Sequence, residues 1–136
     1  KIGNNAFLGC TQLETVFFPT TLETIGMLAF EASGIKEADF SGTNVKVIEN
    51  QAFSQCANLQ NVIFPTSLET IGYHAFGFSG IAEASLSGTN VTDIGVQAFW
   101  YCAGLEYVTF PTSLQTIGNK PFINRASKKQ IYQEQN

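Results

Sequence analysis

The sequence predicts an α/β-type repeat solenoid of 23-residue coils, with short parallel strands on a concave side and short helical turns on the opposite side. Two observations lead to this prediction. An Ile-Gly-x-x-Ala-Phe pattern recurs along the 136 residues at a constant interval of 23. Between its recurrences lie short apolar alternations that end at a proline or at a Ser-Gly-Thr-Asn turn. A fixed period of roughly 20–50 residues is typical of solenoids, in which each coil buries its apolar face against its neighbours.

Two columns of large apolar residues recur once per coil and are predicted to point into the core. They are Ile2, Ile25, Ile48, Ile71, Ile94 and Ile117, and Phe7, Phe30, Phe53, Phe76, Phe99 and Phe122. Each Ala-Phe segment is expected to form one short helical turn. The isoleucines, together with Leu22, Val45, Leu68, Val91 and Leu114, are expected to form a further inward wall. A hydrophobic fraction of 44% is sufficient for such a continuous core.

Two types of coil alternate, which gives a second period of 46 residues. The first type, at 6–26, 52–72 and 98–118, carries Cys-x-x-Leu before its strand and proline after it. The second type, at 29–48 and 75–94, carries Ser-Gly-Ile before the strand and Ser-Gly-Thr-Asn after it. The second type has one residue fewer before the strand and one more after it. The coil length is therefore preserved while the turns differ.

The strands themselves are predicted from an alternation of period two, in which inward apolar residues flank one outward residue. The inward pairs are Val16 and Phe18, Ala38 and Phe40, Val62 and Phe64, Ala84 and Leu86, and Val108 and Phe110. Stacking of successive coils should join these five segments into one parallel sheet with a spacing of about 4.8 Å. Proline ends the strand in the first coil type because it has no N–H to donate to a ladder.

These repeats resemble the BspA-like (Treponema pallidum type) leucine-rich repeats. The shared pattern is Ala-Phe-x-x-Cys-x-x-Leu-x-x-Val-x-Phe-Pro-x-Ser-Leu-x-x-Ile-Gly; segments 52–72 and 98–118 match it closely, and the resemblance covers about 2–122. It implies a leucine-rich-repeat solenoid in a cell-surface or secreted protein of adhesion type, which binds host or matrix proteins. The alternative is an intracellular, cytoplasmic scaffold. The slot for asparagine in ordinary leucine-rich repeats instead holds Thr21, Thr43, Ser67, Thr89 and Ser113. A ladder of hydroxyls is therefore expected to satisfy the backbone there.

The two ends of the chain differ from the central coils. Lys1 begins inside a repeat, which suggests a fragment of a longer array, with a solenoid over 1–122. In the last coil Pro121 takes the alanine slot, and 123–136 is mostly polar. This segment is predicted to be a C-terminal cap or tail, either a short helix over the last coil or a frayed end. A polar cap suits the end of a solenoid.

Charge and hydropathy exclude two classes of partner. Residues 1–119 carry ten acids and three bases, which argues against nucleic acid along the repeats. Four bases near the end, Lys120, Arg125, Lys128 and Lys129, are interpreted as a solvated surface. No apolar run approaches the ~18 residues of a membrane-spanning helix, so membrane insertion is not expected.

The residues that usually carry chemistry are few and dispersed. Cys10, Cys56 and Cys102 are each two coils apart, about 9–10 Å, which is too far for a disulfide or a shared metal ion. All three are predicted to be buried thiols. The single histidine, His74, and Asp93 lie on different parts of the coil, so a catalytic set is not expected. The sequence therefore predicts a protein-binding module with no enzymatic activity and no cofactor.

Outward residues supply two candidate contact surfaces. The first, called the strand face here, is the outer side of the predicted concave sheet. Its candidate binding residues are Phe17, Glu37, Asp39, Ile63, Glu83 and Tyr107. The second, called the aromatic patch, lies on the opposite side and consists of Tyr73, Phe78, Trp100 and Tyr101. Exposed aromatic and aliphatic side chains are enriched in contact surfaces, although strand propensity and local packing favour the same residue types.

Overall fold

Hydrogen bonds between successive coils organise the chain into a solenoid with two strand-bearing walls. A computed structural model describes residues 1–122 and the backbone of 130–133. One wall is a five-stranded parallel sheet of two-residue strands: β1 (Thr24–Ile25), β3 (Val47–Ile48), β5 (Thr70–Ile71), β7 (Asp93–Ile94) and β9 (Thr116–Ile117). The other wall carries β2 (Glu37–Asp39), β4 (Asn61–Ile63), β6 (Glu83–Ser85), β8 (Tyr107–Phe110) and β10 (Gln130–Gln133). Repeating coils and parallel strands are thus as predicted.

The predicted five-stranded sheet at Val16–Phe18 and its equivalents is wrong in detail. Residues 16–18 do not form a strand, and the other segments pair as β2–β4 and as β6–β8–β10. Between the coils of residues 1–122, a ladder forms on this wall where a second-type coil is followed by a first-type coil and aligned residues are 24 apart, as in Glu37 opposite Asn61. Where a first-type coil is followed by a second-type coil, isolated hydrogen bonds remain, such as that from Ala82 N–H to Gln60 O at 3.2 Å. The unequal turns of the two coil types shift the register and divide the sheet.

The predicted helical turns are also wrong, because the described residues contain no helix. Around each Ala-Phe segment of the first five coils, two residues have a left-handed backbone, for example Asn5 at φ 59° and Gly9 at φ 68°. The N–H groups of Asn5, Phe7 and Gly9 donate to the next coil at 2.7–2.9 Å, whereas the intervening N–H groups close tight turns on the carbonyls three residues earlier. A left-handed residue interrupts helical propagation. Every second N–H is thereby directed at the neighbouring coil.

The phenylalanine column forms a continuous stack of rings through the core, as its inward orientation predicted. Successive ring centroids lie 5.0–5.5 Å apart with interplanar angles of 3–17°. Phe30, Phe53, Phe76 and Phe99 are fully buried. Phe18, Phe64 and other strand-side rings contact this stack edge-on or tilted. The stack connects each coil to the next with the same contact.

Hydroxyl side chains satisfy the backbone beside the strands at four of the five predicted positions, which confirms the ladder for Thr43, Ser67, Thr89 and Ser113. Thr43 and Thr89 donate within their own coil, to Phe40 O and Leu86 O at 2.7 Å. Ser67 donates to the preceding coil, at Val45 O, and Ser113 does the same at Val91 O, both at 2.8 Å. Threonine therefore closes the turn of the second coil type, and serine connects the first type to its predecessor.

The described part of the C-terminal segment is a strand. The backbone of Gln130–Gln133 pairs in parallel with Tyr107–Phe110 in a register of 23 residues. The coil period therefore continues through this point, where the sequence suggested a helix or a frayed end. The remainder of 123–136, including three of the four basic residues near the end, lies outside the described residues.

The cysteine column is buried only where a coil precedes it. Cys56 and Cys102 are buried, and their thiols donate to Phe30 O and Phe76 O at 3.0 Å. Cys10 is exposed, contrary to the prediction, because residues 1–9 place no coil beneath it. None of the three forms a disulfide. The intervening slots hold Ser33 and Ser79, whose hydroxyls lie 3.6 and 3.4 Å from the sulfur of the following coil.

Truncation in the middle of the ring stack should destabilise the fold more than truncation at its end. Phe53 stacks on Phe30 and on Phe76, whereas Phe7 stacks on Phe30 alone. Phe53→Ala is expected to lower the free energy of unfolding by about 3–5 kcal/mol, and Phe7→Ala by clearly less. Denaturant titration of both variants measures the difference. Equal losses would contradict the role of the stack in coupling the coils.

Thiol accessibility should distinguish Cys10 from the other two cysteines. Burial raises the pKa of the Cys56 thiol, which disfavours the reactive thiolate. A thiol reagent is therefore expected to modify one cysteine rapidly in native protein and all three after denaturation. Cys10→Ser serves as the control and should abolish the rapid phase. Rapid native labelling of the Cys10→Ser variant would show that the buried column is open to solvent.

Candidate binding surfaces

The strand face exposes large apolar side chains in alternate coils. The sheet alternation turns Ala38 and Val108 into the core and leaves their neighbours outside. Phe17 is 93% exposed, Ile63 52% and Tyr107 40%. The neighbours of Phe17 and of Ile63 on both sides pack against the core, as does Val108 next to Tyr107, so the alternation of inward and outward residues imposes this exposure. The structure thus places these three side chains outward, as the sequence predicted.

Carboxylates occupy the same face in the coils between them. Glu37, Asp39 and Glu83 are exposed, and Asp39 lies opposite Ile63 in the ladder while Glu83 lies opposite Tyr107. The Tyr107 hydroxyl donates to the Glu83 carboxylate, and this bond raises the pKa of Tyr107. The side-chain hydroxyl and the backbone N–H of Ser41 donate to Asp39 and lower its pKa. Asp39 therefore stays ionised to lower pH than an ordinary aspartate.

Positive charge is scarce beside these carboxylates. Lys36, at the edge of the strand face, forms an ion pair with Glu14 at 2.7 Å. The other lysines of the first three coils pair on other walls, Lys1 with Glu49 at 3.3 Å and Lys46 with Glu69 at 3.8 Å. Within residues 1–119, therefore, Glu37, Asp39 and Glu83 have no lysine or arginine partner.

The aromatic patch is a chain of touching rings on the turn side of the solenoid. Phe78 and Tyr101, one coil apart, stack at 5.4 Å and 12°. Trp100 contacts Tyr101 edge-on at 5.2 Å. His74 joins Tyr73 at 5.4 Å to Phe78 at 5.6 Å. The structure therefore brings all four predicted residues into one cluster and adds His74, which the sequence indicated only as a neighbour.

Left-handed backbone positions this patch. His74, Phe78 and Tyr101 have φ values of 54°, 57° and 52°, in a region that bulky residues seldom adopt. Gly77 allows the His74 ring to lie across the turn, since a Cβ there would stand 2.3 Å from that ring. The aromatic side chains are thus held by coil geometry that Gly9 and Ala32 satisfy without any ring. Because Phe78 and Tyr101 stack face to face, one face of each ring is covered by the other, while 48% of Phe78 stays exposed.

His74 is shielded enough to favour its neutral form. Desolvation lowers its pKa, and the nearby negative charge of Glu31 opposes that shift only partly. Its Nδ1 lies 3.5 Å from the Ser54 hydroxyl. Asp93, on the wall of β1–β9, instead accepts hydrogen bonds from Thr92 and Thr116. His74 and Asp93 therefore do not contact each other.

No group of three or more His, Cys, Asp and Glu residues is arranged to hold a metal ion in the part of the chain described. In that same part, no helix has the length and apolar character needed to cross a membrane.

Comparison with known proteins agrees with this geometry. The chain matches the family model described as the BspA type leucine rich repeat region (6 copies), over residues 1–102 and 33–136. The chain belongs to this family. It is also similar in fold to a leucine-rich repeat protein from Bacteroides ovatus ATCC 8483, with a TM-score of 0.61 and 24% identity. That match covers 97% of this chain and 46% of the Bacteroides protein, so the chain spans less than half of it. No curated protein matches significantly.

Acid should destabilise the fold through His74. The pKa of His74 is lower in the folded than in the unfolded protein. The stability that neutral His74 contributes is therefore present above the unfolded pKa near 6.5, and it is lost as pH falls through the folded pKa. We expect the melting temperature of the wild type to fall more between pH 7.5 and pH 5 than that of His74→Gln. Gln51 and Gln97 occupy the equivalent slot, so glutamine suits this backbone. Parallel pH profiles of the two proteins would contradict the assignment.

Proposed function

We propose that this chain is a non-enzymatic protein-binding module and that its strand face makes the contact. Leucine-rich repeat families and solenoid folds are typically non-enzymatic scaffolds, and their repeats generally mediate protein–protein interaction. The observation that carries the choice of face is the outward position of Phe17, Ile63 and Tyr107 beside carboxylates that have no lysine or arginine partner within residues 1–119. Large apolar side chains surrounded by polar ones are typical of contact surfaces.

The energetics of the strand face favour a partner over solvent. Phe17 is almost wholly in water, and burial of such a side chain contributes about 1.5–3 kcal/mol. Ile63 and Tyr107 also lie on short hydrogen-bonded strands, which fix the direction of their side chains before a partner arrives. Such preorganisation lowers the entropic cost of association.

The aromatic patch is the competing surface. Phe78 and Tyr73 are about as exposed as Ile63 and Tyr107. However, Trp100 and Tyr101 are only partly exposed, and no side chain of the patch is as exposed as Phe17, so a partner would remove less apolar area from water there. We therefore propose the strand face as the binding site and the aromatic patch as the alternative.

The resemblance to BspA-like repeats further suggests where the module acts. We propose a cell-surface or secreted protein of adhesion type, which presents the strand face to host or matrix proteins. The alternative is an intracellular scaffold that uses the same face to hold proteins together. The adhesion proposal and the scaffold alternative assign the same residues to binding. They differ in whether the bound protein comes from outside or inside the cell.

Protein capture by paired variants tests the proposal. The immobilised chain, an Ile63→Ala/Tyr107→Ala variant and a Phe78→Ala/Trp100→Ala variant are each incubated with extracellular-matrix proteins and, separately, with extract of the source cells. Retained proteins are quantified by mass spectrometry. We expect the first variant to lose its partners, because buried aromatic anchors typically contribute about 2 kcal/mol or more at interfaces.

The remaining outcomes decide between the alternatives. The melting curve of the Ile63→Ala/Tyr107→Ala variant should match that of the wild type, since both side chains are exposed. Loss of capture only by the Phe78→Ala/Trp100→Ala variant would assign binding to the aromatic patch. Unchanged capture by both variants would refute both surfaces. Partners found among matrix proteins support adhesion, and partners found only in the cell extract support the scaffold.

A further inference from the structure

One face of the Phe78 ring is stacked and the other is exposed. The stacked face contacts Tyr101 of the next coil, with ring centroids 5.4 Å apart and planes 12° from parallel. The other face is therefore directed at the preceding coil, and 48% of the side chain is exposed. The equivalent residue of that coil is Gln55, whose amide reaches one coil further back and donates to the Glu31 carboxylate at 3.1 Å. The Gln55 amide is thus held away from the ring.

The coil spacing leaves room for one further ring behind Phe78. Successive coils lie about 4.8 Å apart, and carbon atoms in contact lie about 3.5–4.0 Å apart. A ligand ring stacked on Phe78 would therefore lie over Gln55, where an aromatic side chain at that position would lie. Ala32, two coils before Phe78, adds only a methyl group. We call the arrangement of Phe78 above Gln55, Glu31 and Ala32, with His74 at its side, the ring step.

Hydrogen-bonding groups line the ring step. His74 lies beside Phe78, with ring centroids 5.6 Å apart and planes 57° from parallel. The lowered pKa of His74 leaves the ring uncharged at neutral pH, so one nitrogen donates and the other accepts. Among residues 1–122, no group bonds to the Nε2 atom of His74, the amide oxygen of Gln55 or the second carboxylate oxygen of Glu31. These atoms can therefore bind polar groups at the edge of a stacked ligand ring.

Charge selects among the polar ligands that fit the ring step. Glu31 is its only charged residue, and Lys120, which shares the column of His74, lies two coils beyond it, about 9.6 Å away. Glu31 would therefore repel an anionic ligand. A cation would pair with Glu31, but it only donates hydrogen bonds and would cover the donors of Gln55 and His74 without offering an acceptor. A neutral ligand with hydroxyl groups uses donors and acceptors alike.

We propose that the ring step binds a neutral pyranose unit of a glycan, with the C–H face of the sugar on Phe78 and its hydroxyl groups on Gln55, Glu31 and His74. A pyranose suits this site because it has apolar C–H groups on its faces and hydroxyl groups around its edge. The inference goes beyond the protein-binding function proposed above and does not depend on it, since the ring step lies on the turn side of the solenoid.

An array of immobilised oligosaccharides, probed with chain 1–136, tests this inference. The array carries neutral glycans of glycoproteins, fragments of neutral polysaccharides, and sialylated and sulfated forms of the same glycans. We expect saturable binding to neutral members and weaker binding to their acidic forms, because Glu31 repels a carboxylate or a sulfate. The neutral class that binds more tightly shows whether the sugar comes from a glycoprotein or a polysaccharide. Absence of saturable binding, or a preference for the acidic forms, would overturn the proposal.

Matched phenylalanine variants locate the site. Phe78→Ala removes the stacking ring and suits the local backbone, since Ala32 has the same left-handed conformation in the equivalent slot. Phe17→Ala removes a phenylalanine that is even more exposed, from the strand face. In calorimetric titration with the tightest neutral oligosaccharide of the array, Phe78→Ala should weaken binding roughly tenfold or more. Phe17→Ala should leave the affinity unchanged, and equal losses in the two variants would refute the ring step.

Variants of Glu31 distinguish a sugar from a cation. Glu31→Gln removes the charge but keeps an acceptor for the Gln55 amide and for a hydroxyl, whereas Glu31→Leu removes both. We expect Glu31→Gln to keep most of the affinity for the oligosaccharide and Glu31→Leu to lose about fivefold or more. Choline serves as the cationic probe. If choline displaces the oligosaccharide from the wild type but not from Glu31→Gln, the site is a cation site and the proposal is wrong.

The strand-face variant separates this inference from the proposed function. Ile63→Ala/Tyr107→Ala should bind the oligosaccharide as the wild type does, whether or not it loses its protein partners. Loss of oligosaccharide binding by that variant would place the sugar on the strand face and overturn the ring step. If Phe78→Ala alone loses the sugar, the inference stands even where protein capture by the strand face fails.

Discussion

The solenoid depends on one constraint, which is that every coil must return to the same point after 23 residues. The N–H groups of Asn5, Phe7 and Gly9 each donate to a carbonyl of the next coil. The phenylalanine rings likewise stack on the ring one coil further along. One inserted residue would misalign both at once. The two coil types satisfy the constraint in different ways, since a residue missing before the strand is restored after it. Everything on the surface takes its spacing from this closure.

The sequence predicted the core well because large apolar residues in strict register have few alternative positions. Phe53 and Ile71 are both fully buried, and Ser67 makes the backbone contact expected of a missing asparagine. The turns were predicted wrongly for a physical reason. Left-handed backbone is usually recognised from glycine or asparagine, whereas Leu28 and Gln97 adopt it here. Tertiary hydrogen bonds impose this conformation, and residue propensity does not reveal it.

The sheets show a second limit of sequence reasoning. Two-residue strands such as Thr24–Ile25 are too short to give an alternation, so the five-stranded wall was anticipated only as a column of isoleucines. The other wall is divided because the register shifts between coil types. The shift is visible in the sequence, since Glu37 and Asn61 are 24 residues apart and the coil period is 23, but it is easily overlooked. The outward side chains of the paired strands, such as Glu37 and Tyr107, were predicted correctly because successive residues of a strand point to opposite faces. The ring contacts of Phe78 and His74 depend on side-chain directions that spacing alone does not determine.

The alternation of coil types makes 46 residues, and not 23, the natural unit of growth of this array. The ladder from Glu37 to Asn61 and the serine bond from Ser67 to Val45 O each require one coil of each type. Duplication or loss of a pair of coils would preserve every junction and extend the same surface. Gain or loss of a single coil would place two coils of one type together and disturb the hydroxyl contacts between them. The array can therefore lengthen or shorten by pairs of coils without disturbing the contacts between coils.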